Sequence, residues 1–112
     1  MCIRDSPAAL QGREQLTTIP STRIAAEAAY KMAGITAKDV DFAEVHDCFT
    51  VAEVVDSEDL GVFEKGTGAT AARNGDTKLN GSISINPSGG LKSKGHPIGA
   101  TGVGQVLSLI HI

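Results

Sequence analysis

The sequence contains no tryptophan and few other aromatic residues, so small aliphatic side chains must form most of its core. Three phenylalanines and one tyrosine are spread over 112 residues, and 41% of the residues are hydrophobic. That hydrophobic share is ordinary for a globular domain. The composition therefore indicates one small domain with a modest core.

Long apolar runs and blocks of like charge are also absent. No stretch approaches the roughly 20 apolar residues that span a bilayer. The formal net charge is −3, and the charged residues are scattered along the chain. This pattern offers neither a basic stripe for nucleic acid nor a cationic amphipathic face for a membrane. We therefore expect a cytoplasmic protein with no nucleic-acid or membrane partner.

The two termini are expected to be artificial. The segments MCIRDS (1–6) and LSLIHI (107–112) can be encoded by ATGTGTATAAGAGACAGC and CTGTCTCTTATACACATC. The first 17 nucleotides of each are reverse complements of each other. This DNA element matches a transposase end used in sequencing-library preparation. We expect 1–6 and 107–112 to derive from adapters and 7–106 to be part of a longer reading frame. Of two cysteines, only Cys48 then remains, so no disulfide framework is expected.

Helix and strand patterns alternate along the first half of the chain. The stretch STRIAAEAAYKMAG predicts an amphipathic helix with Ser21 as its N-cap and Gly34 as its C-terminal stop. DFAEVHDCF predicts a strand that ends near His46. A T-x-x-E capping box at Thr50 and Glu53 then predicts a second helix.

The second half continues the alternation. Region 64–81 predicts a surface loop with one helical turn around 69–73. SISIN predicts a second short strand that ends at Asn86, and ATGVGQVL predicts a third helix after a glycine-rich loop. Helix, strand, helix, strand, helix is the order of an α/β fold.

Two stretches end a strand and begin a helix: EVHDCFT and INPSGGLKSKGHPIGATG. Functional sites in open α/β folds gather beyond the carboxyl ends of the strands. We therefore expect His46, Cys48 and His96 to lie near one another. Pro97 and the neighbouring glycines would hold His96 on a narrow, rigid loop.

Each candidate also has a structural interpretation. Cys48 could be a small buried hydrophobic residue, and Asp47 could cap the helix that begins near Thr50. Lys92 and Lys94 are expected to be solvated, with phosphate contact as the alternative.

Two rival motifs fail on their spacing. The segment 90–95 has the G-x-x-x-x-G pattern of a phosphate-binding loop, but His96 and Pro97 follow where Lys and Ser or Thr are required. The adjacent residues of H-D-C at 46–48 lack the spacing of ligands that converge on zinc. We therefore expect no metal.

The stretches VHDCF (45–49) and NPSGGLKSKGHPIGATG (86–102) resemble the thiolases, in particular the sterol-carrier-protein type and its archaeal and bacterial relatives. The similarity covers nearly all of 17–106. It implies an incomplete thiolase-like βαβαβαββ half, an α/β unit with three main helices against a short mixed sheet. The segment 7–106 would then belong to the C-terminal half of a longer enzyme.

Thiolases join or cleave the carbon–carbon bond of 3-ketoacyl-CoA through an acyl-cysteine. The resemblance implies that this cysteine lies in a missing N-terminal half, so Cys48 is not the acylated residue. His96 would activate that cysteine and help form an oxyanion hole, and His46 would stabilise the enolate oxygen. Cys48 would move the α-proton of the attacking acyl group. Asn86 and Gly89 would shape the loop.

The resemblance also implies partners and alternatives. CoA thioesters would be substrates, with no tightly bound cofactor, and the intact acyltransferase would form a homodimer. The chain alone would be inactive without its N-terminal half. One alternative is a thiolase-like retro-aldolase on steroid side-chain CoA esters, which works with an OB-fold partner. The other is a non-catalytic acyl-CoA-binding subunit.

Overall fold

The computed structural model describes residues 15–111, so segment 1–6 and residue 112 lie outside the described part. Helices and strands follow one another in this order: α1 (Pro20–Ala33), a 3₁₀ turn (Ala37–Asp39), β1 (Phe42–Ala43), α2 (Thr50–Asp59), α3 (Gly68–Asn74), β2 (Ser84–Ile85), α4 (Gly90–Lys94) and α5 (Thr101–His111). The α/β class is confirmed, and α1, α2 and α5 are the three main helices. Within residues 15–111, no helix is both long and apolar enough to cross a membrane.

The two strands pair in parallel, with Phe42 opposite Ser84 and Ala43 opposite Ile85. Parallel neighbours need a crossover connection, and here α2 and α3 lie between them in the chain. The expected mixed character is not found in the described sheet. Because the pairing is parallel, both strands end at the same edge.

Helix α1 begins one residue earlier than its predicted cap. Ile19 is the N-cap and Pro20 opens the helix, so the prediction of Ser21 as N-cap was wrong. Proline suits this position because it has no N–H to leave unpaired and its φ is already helical. Gly34 ends the helix in the left-handed conformation, with φ 69°, as predicted.

Helix α2 begins at Thr50, but the predicted capping box is absent. Phe49 is the N-cap, and no side chain makes a capping hydrogen bond at this helix end. The Glu53 carboxylate instead accepts a hydrogen bond of 3.1 Å from the Asn86 side-chain amide. A tertiary contact has therefore replaced the local one that the T-x-x-E pattern predicts.

The core is small and aliphatic, as the lack of aromatics predicts. Val45, Ile83 and Ile85 are buried together around the two strands. Partly buried hydrophobic residues pack against them: Val40, Ala43, Leu60, Val62 and Phe63. The short sheet therefore sits at the centre of the described core.

Buried carboxylates at the end of α2 hold the neighbouring helices. Asp59 Oδ2 accepts the Ile19 N–H at 2.6 Å at the start of α1, and Glu58 Oε1 accepts the Gly68 N–H at 2.9 Å at the start of α3. Both carboxylates thus pair with N–H groups that a helix cannot bond internally, and each lies at the positive end of a helix. Asp59 also lies 2.6 Å from Lys65 Nζ.

Asp56 joins α2 to α1 from the same helix end. Its carboxylate accepts the Thr22 hydroxyl at 2.7 Å, and the residue is only 4% exposed. Burial raises the pKa of Asp56, the Thr22 bond opposes that shift, and the nearby charge of Asp59 adds to it. The charged residues of α2 are therefore structural, and the α1–α2–α3 layer depends on them.

We predict that Asp59→Ala lowers the free energy of unfolding by about 1–3 kcal/mol, because it leaves the half-buried Ile19 N–H without its acceptor. Urea unfolding of the chain measures the loss. Glu64→Ala removes the same charge from an exposed side chain and should change stability by less than about 0.5 kcal/mol. Equal losses in the two variants would contradict the capping role of Asp59.

Candidate active site

Asn86 fixes the two strand ends relative to each other. Its side-chain oxygen accepts the Val45 N–H at 2.8 Å, and its amide group donates to Glu53. Asn86 is 8% exposed and has φ 51°, a left-handed conformation that asparagine tolerates better than most residues. The residue just before His46 is thereby tied to the start of the glycine-rich loop.

Asp47 links the H-D-C segment to α4. Its carboxylate accepts the Leu91 N–H at 3.0 and 3.1 Å. Asp47 therefore bonds to the first turn of α4, and its predicted alternative role as a cap for α2 was wrong. A side chain on Gly90 would collide with this carboxylate, and Gly90 has φ 63°, so only glycine fits there easily.

Glu44 makes a second link between the same two segments. Its side chain is 1% exposed, and it accepts the Ser88 N–H at 3.0 Å, the Ser88 hydroxyl at 2.8 Å and Lys94 Nζ at 3.1 Å. Burial alone would raise the pKa of Glu44, but the bonds from Ser88 and Lys94 outweigh it and lower that pKa. Lys92 and Lys94 are both exposed as expected, and Lys94 is also paired with Glu44.

These links bring His46 and His96 into contact. The two ring centroids lie 4.8 Å apart, with the ring planes at 69°, in an edge-to-face arrangement. Both residues are exposed. One imidazole follows β1 and the other follows the loop after β2, so two distant parts of the sequence present adjacent titratable groups to solvent. A reactant could therefore reach both rings.

Cys48 is exposed and carries a free thiol. The alternative that it is a buried hydrophobic residue was therefore wrong. It lines a cavity of about 460 Å³ together with Asp47, Phe49, Thr50, Glu53, Gly89 and Lys92. The thiol is thus open to a ligand in a recess that also holds a cationic side chain.

Metal binding finds no support in the described part of the chain. Among residues 15–111, no group of three or more His, Cys, Asp or Glu side chains is placed to hold a metal ion. The two segments that follow the strands instead present two imidazoles and a thiol, and the Asp47 carboxylate bonds to the backbone of α4.

A family profile described as thiolase C-terminal domain-like matches residues 5–111. The chain belongs to the thiolase C-terminal domain family. The predicted resemblance is thereby confirmed, while the expected adapter boundaries at 6 and 107 stay predictions.

Two kinds of relative support this membership. An acetyl-CoA acetyltransferase of Methanothermobacter thermautotrophicus is 48% identical over 102 residues, which are 91% of this chain and 27% of the relative. Sterol carrier protein 2 of Homo sapiens is 48% identical over 85 residues, 76% of this chain and 16% of the relative. This thiolase domain therefore spans about a quarter or less of the length of these relatives.

A solved structure shares the fold. An Ltp2-ChsH2(DUF35) aldolase superposes with a TM-score of 0.67 and 25% identity, over 71% of this chain and 21% of the other. The thiolase-like arrangement of helices around the short parallel sheet is thus found in an aldolase as well.

Two features of the thiolase domain escaped the sequence reasoning. Helix α4 lies where the glycine-rich run predicts only a loop, and its Leu91 N–H bonds to Asp47, 44 residues earlier in the chain. Thr101 is buried, and its hydroxyl oxygen lies 2.7 Å from His96 Nδ1. The signal for Thr101 is its position at the start of the third predicted helix, one turn after the histidine–proline pair.

We predict that Glu44→Gln destabilises the chain by about 1.5–3 kcal/mol at neutral pH, because hydrogen bonds to a charged acceptor are lost. The pKa of Glu44 is lower in the folded state than its ordinary 4.5, so its contribution is present above pH 4.5. It is lost as the pH falls through the lower, folded-state pKa. Urea unfolding of both proteins between pH 7 and pH 3 should show the difference shrinking. A constant difference would contradict the account.

Proposed function

We propose that this thiolase domain is part of an acyl-CoA C-acyltransferase that makes or cleaves the carbon–carbon bond of 3-ketoacyl-CoA. The observation that carries the proposal is the contact between His46 and His96 at the shared edge of the parallel strands. The archaeal relatives named acetyl-CoA acetyltransferase favour this reaction class. The nucleophilic cysteine would come from the part of the parent protein that precedes this domain.

His96 would act as the base for that cysteine. An unperturbed thiol has a pKa of about 8.5 and is mostly protonated at neutral pH, so an adjacent imidazole that takes the proton activates it. The thiolate then attacks the keto carbon of 3-ketoacyl-CoA. The exposed ring of His96 is open to a group from outside the domain, as this role requires.

His46 and Cys48 would serve the carbon that leaves. When the bond between the keto carbon and the α-carbon breaks, its electron pair moves onto the acetyl-CoA unit as an enolate. The His46 imidazole would donate a hydrogen bond to the enolate oxygen, and the Cys48 thiol would protonate the α-carbon. In the synthetic direction, Cys48 would remove that proton. CoA then takes the acyl group from the cysteine.

We predict that His96→Ala in the full-length parent lowers kcat for acetoacetyl-CoA thiolysis by about 10²- to 10⁴-fold, because a general base is lost. His46→Ala should lower kcat by about 10²- to 10³-fold, the typical effect of one oxyanion donor. Lys38→Ala, at an exposed position on the 3₁₀ turn, is the control and should leave kcat unchanged. Unchanged turnover in His96→Ala would overturn the role of His96.

A second candidate is a retro-aldolase on CoA esters with a steroid side chain. It is favoured by the structural similarity to the Ltp2-ChsH2(DUF35) aldolase, and it would imply an OB-fold partner protein. The same two imidazoles could hold the thioester oxygen of an enolate, but an aldolase forms no acyl-cysteine.

Mass spectrometry of the acid-quenched parent distinguishes the two candidates. After incubation with acetoacetyl-CoA, the acyltransferase is predicted to carry an acetyl group on a cysteine outside residues 7–106. An unmodified parent that cleaves a steroid side-chain β-hydroxyacyl-CoA would establish the aldolase instead. A parent that binds acyl-CoA but does neither would be a non-catalytic subunit.

A further inference from the structure

Thr101 places a buried hydroxyl behind the ring of His96. Thr101 is the first residue of α5 and is 7% exposed. Its oxygen lies 3.1 Å from the Pro97 carbonyl oxygen and 2.7 Å from His96 Nδ1. The hydroxyl therefore contacts two groups. The Pro97 carbonyl can only accept a hydrogen bond, whereas His96 Nδ1 donates if it is protonated and accepts if it is not.

The number of protons on each group shows which one donates in the two hydrogen bonds of the Thr101 hydroxyl. A carbonyl oxygen has no hydrogen to give, so in its bond with Pro97 the Thr101 hydroxyl is the donor. A hydroxyl has one proton, so Thr101 faces the imidazole with a lone pair. The short contact then requires Nδ1 to carry the ring proton, because a neutral imidazole has one donor and one acceptor nitrogen.

We propose that Thr101 is a positioning residue that holds resting His96 as the Nδ1-protonated tautomer, which leaves the Nε2 lone pair as the proton acceptor. The inference deepens the proposed function and rests on it for the identity of the proton donor. When the catalytic thiol reacts, its S–H bond breaks and an Nε2–H bond forms, which gives a thiolate and an imidazolium. The Nδ1–H bond to Thr101 is the same before and after this step.

The surroundings keep the hydroxyl in place. The Pro97 carbonyl also accepts the Ala100 N–H at 2.8 Å and the Thr101 N–H at 3.0 Å, so the turn between His96 and α5 is closed by the backbone. The His46 ring packs edge-to-face against the His96 ring. The imidazole is thus held between a fixed oxygen and a second ring, and little reorganisation is needed for proton transfer.

The Pro97 carbonyl already accepts two backbone N–H groups, so the competing arrangement is one in which the Thr101 hydroxyl does not donate to it. If the hydroxyl turned its proton toward the ring, Nδ1 would be the acceptor and Nε2 would carry the hydrogen. His96 would then be a hydrogen-bond donor in the resting state and could not take a proton at Nε2. The two arrangements therefore differ in which ring nitrogen of His96 carries the proton, and this can be measured directly.

Nitrogen NMR of the full-length parent labelled with ¹⁵N-histidine tests the tautomer. Long-range ¹H–¹⁵N spectra at neutral pH, with His96 assigned by its loss in His96→Gln, should show Nδ1 protonated and Nε2 unprotonated. A protonated Nε2, or an averaged mixture of both tautomers, would overturn the proposal. This readout needs no turnover, so an inactive parent with the expected tautomer would count against the proposed function and not against Thr101.

Two variants test the consequence for activity. Thr101→Val keeps the shape and removes the hydroxyl, and we expect the tautomers of His96 to mix and kcat/KM for thiolysis to fall by about 10- to 10³-fold. That is below the ~10⁴-fold loss that a wrong tautomer causes in a Ser-His-Asp triad. Thr101→Ser keeps the hydroxyl and should restore both the spectrum and most of the activity. An unaltered spectrum in Thr101→Val would refute the proposal, and the wild-type spectrum decides it if that variant fails to fold.

Discussion

The parallel pairing of two very short strands is the constraint on which the rest of this domain depends. Backbone bonds from the Asn86 N–H to the Ala43 carbonyl at 2.8 Å and from the Ser84 N–H to the Asp41 carbonyl at 3.3 Å join them. Each strand is only two residues long, so backbone pairing alone does not fix the direction of the loops that follow. Buried side chains therefore complete the connection, and the two histidines meet only because both loops leave from one edge.

Hydrogen bonds from charged and amide side chains hold the helices and strands in place, a function that packing serves in a larger core. Glu44, Asp47 and Asn86 each bond across more than 40 residues of sequence. The α2 carboxylates Asp59 and Glu58 bond to the starts of α1 and α3, across 40 and 10 residues. Each such group is buried or half-buried and has a hydrogen-bond partner, which avoids the cost of an unpaired polar atom. A domain poor in aromatics is thus ordered by directional bonds as well as by packing.

The sequence predicted those helices and strands that depend on local residue patterns. Periodicity located α1, the T-x-x-E pattern and the apolar residues after it located α2, the stretch ATGVGQVL located α5, and alternation located the SISIN strand. The N-cap of α1, the missing capping box and α4 could not be predicted, because each is decided by a partner far along the chain: Asp59 for Ile19, Asn86 for Glu53 and Asp47 for Leu91. Local patterns identify which residues can bond, but tertiary contacts decide which partner they take.

The site was likewise predicted only in part from the sequence. The rule that ligands gather beyond parallel strand ends led to His46, Cys48 and His96, and the structure brings the two imidazoles together. Thr101 was missed because its part in the site depends on which ring nitrogen it faces, and spacing alone does not show this.

A crystal structure of the full-length parent with a non-cleavable 3-ketoacyl-CoA analogue tests the central claim most directly. We expect the thioester group to lie against the paired imidazoles, with His96 Nε2 within hydrogen-bond distance of either the nucleophilic cysteine or the thioester oxygen. A thioester bound away from both rings would contradict the account.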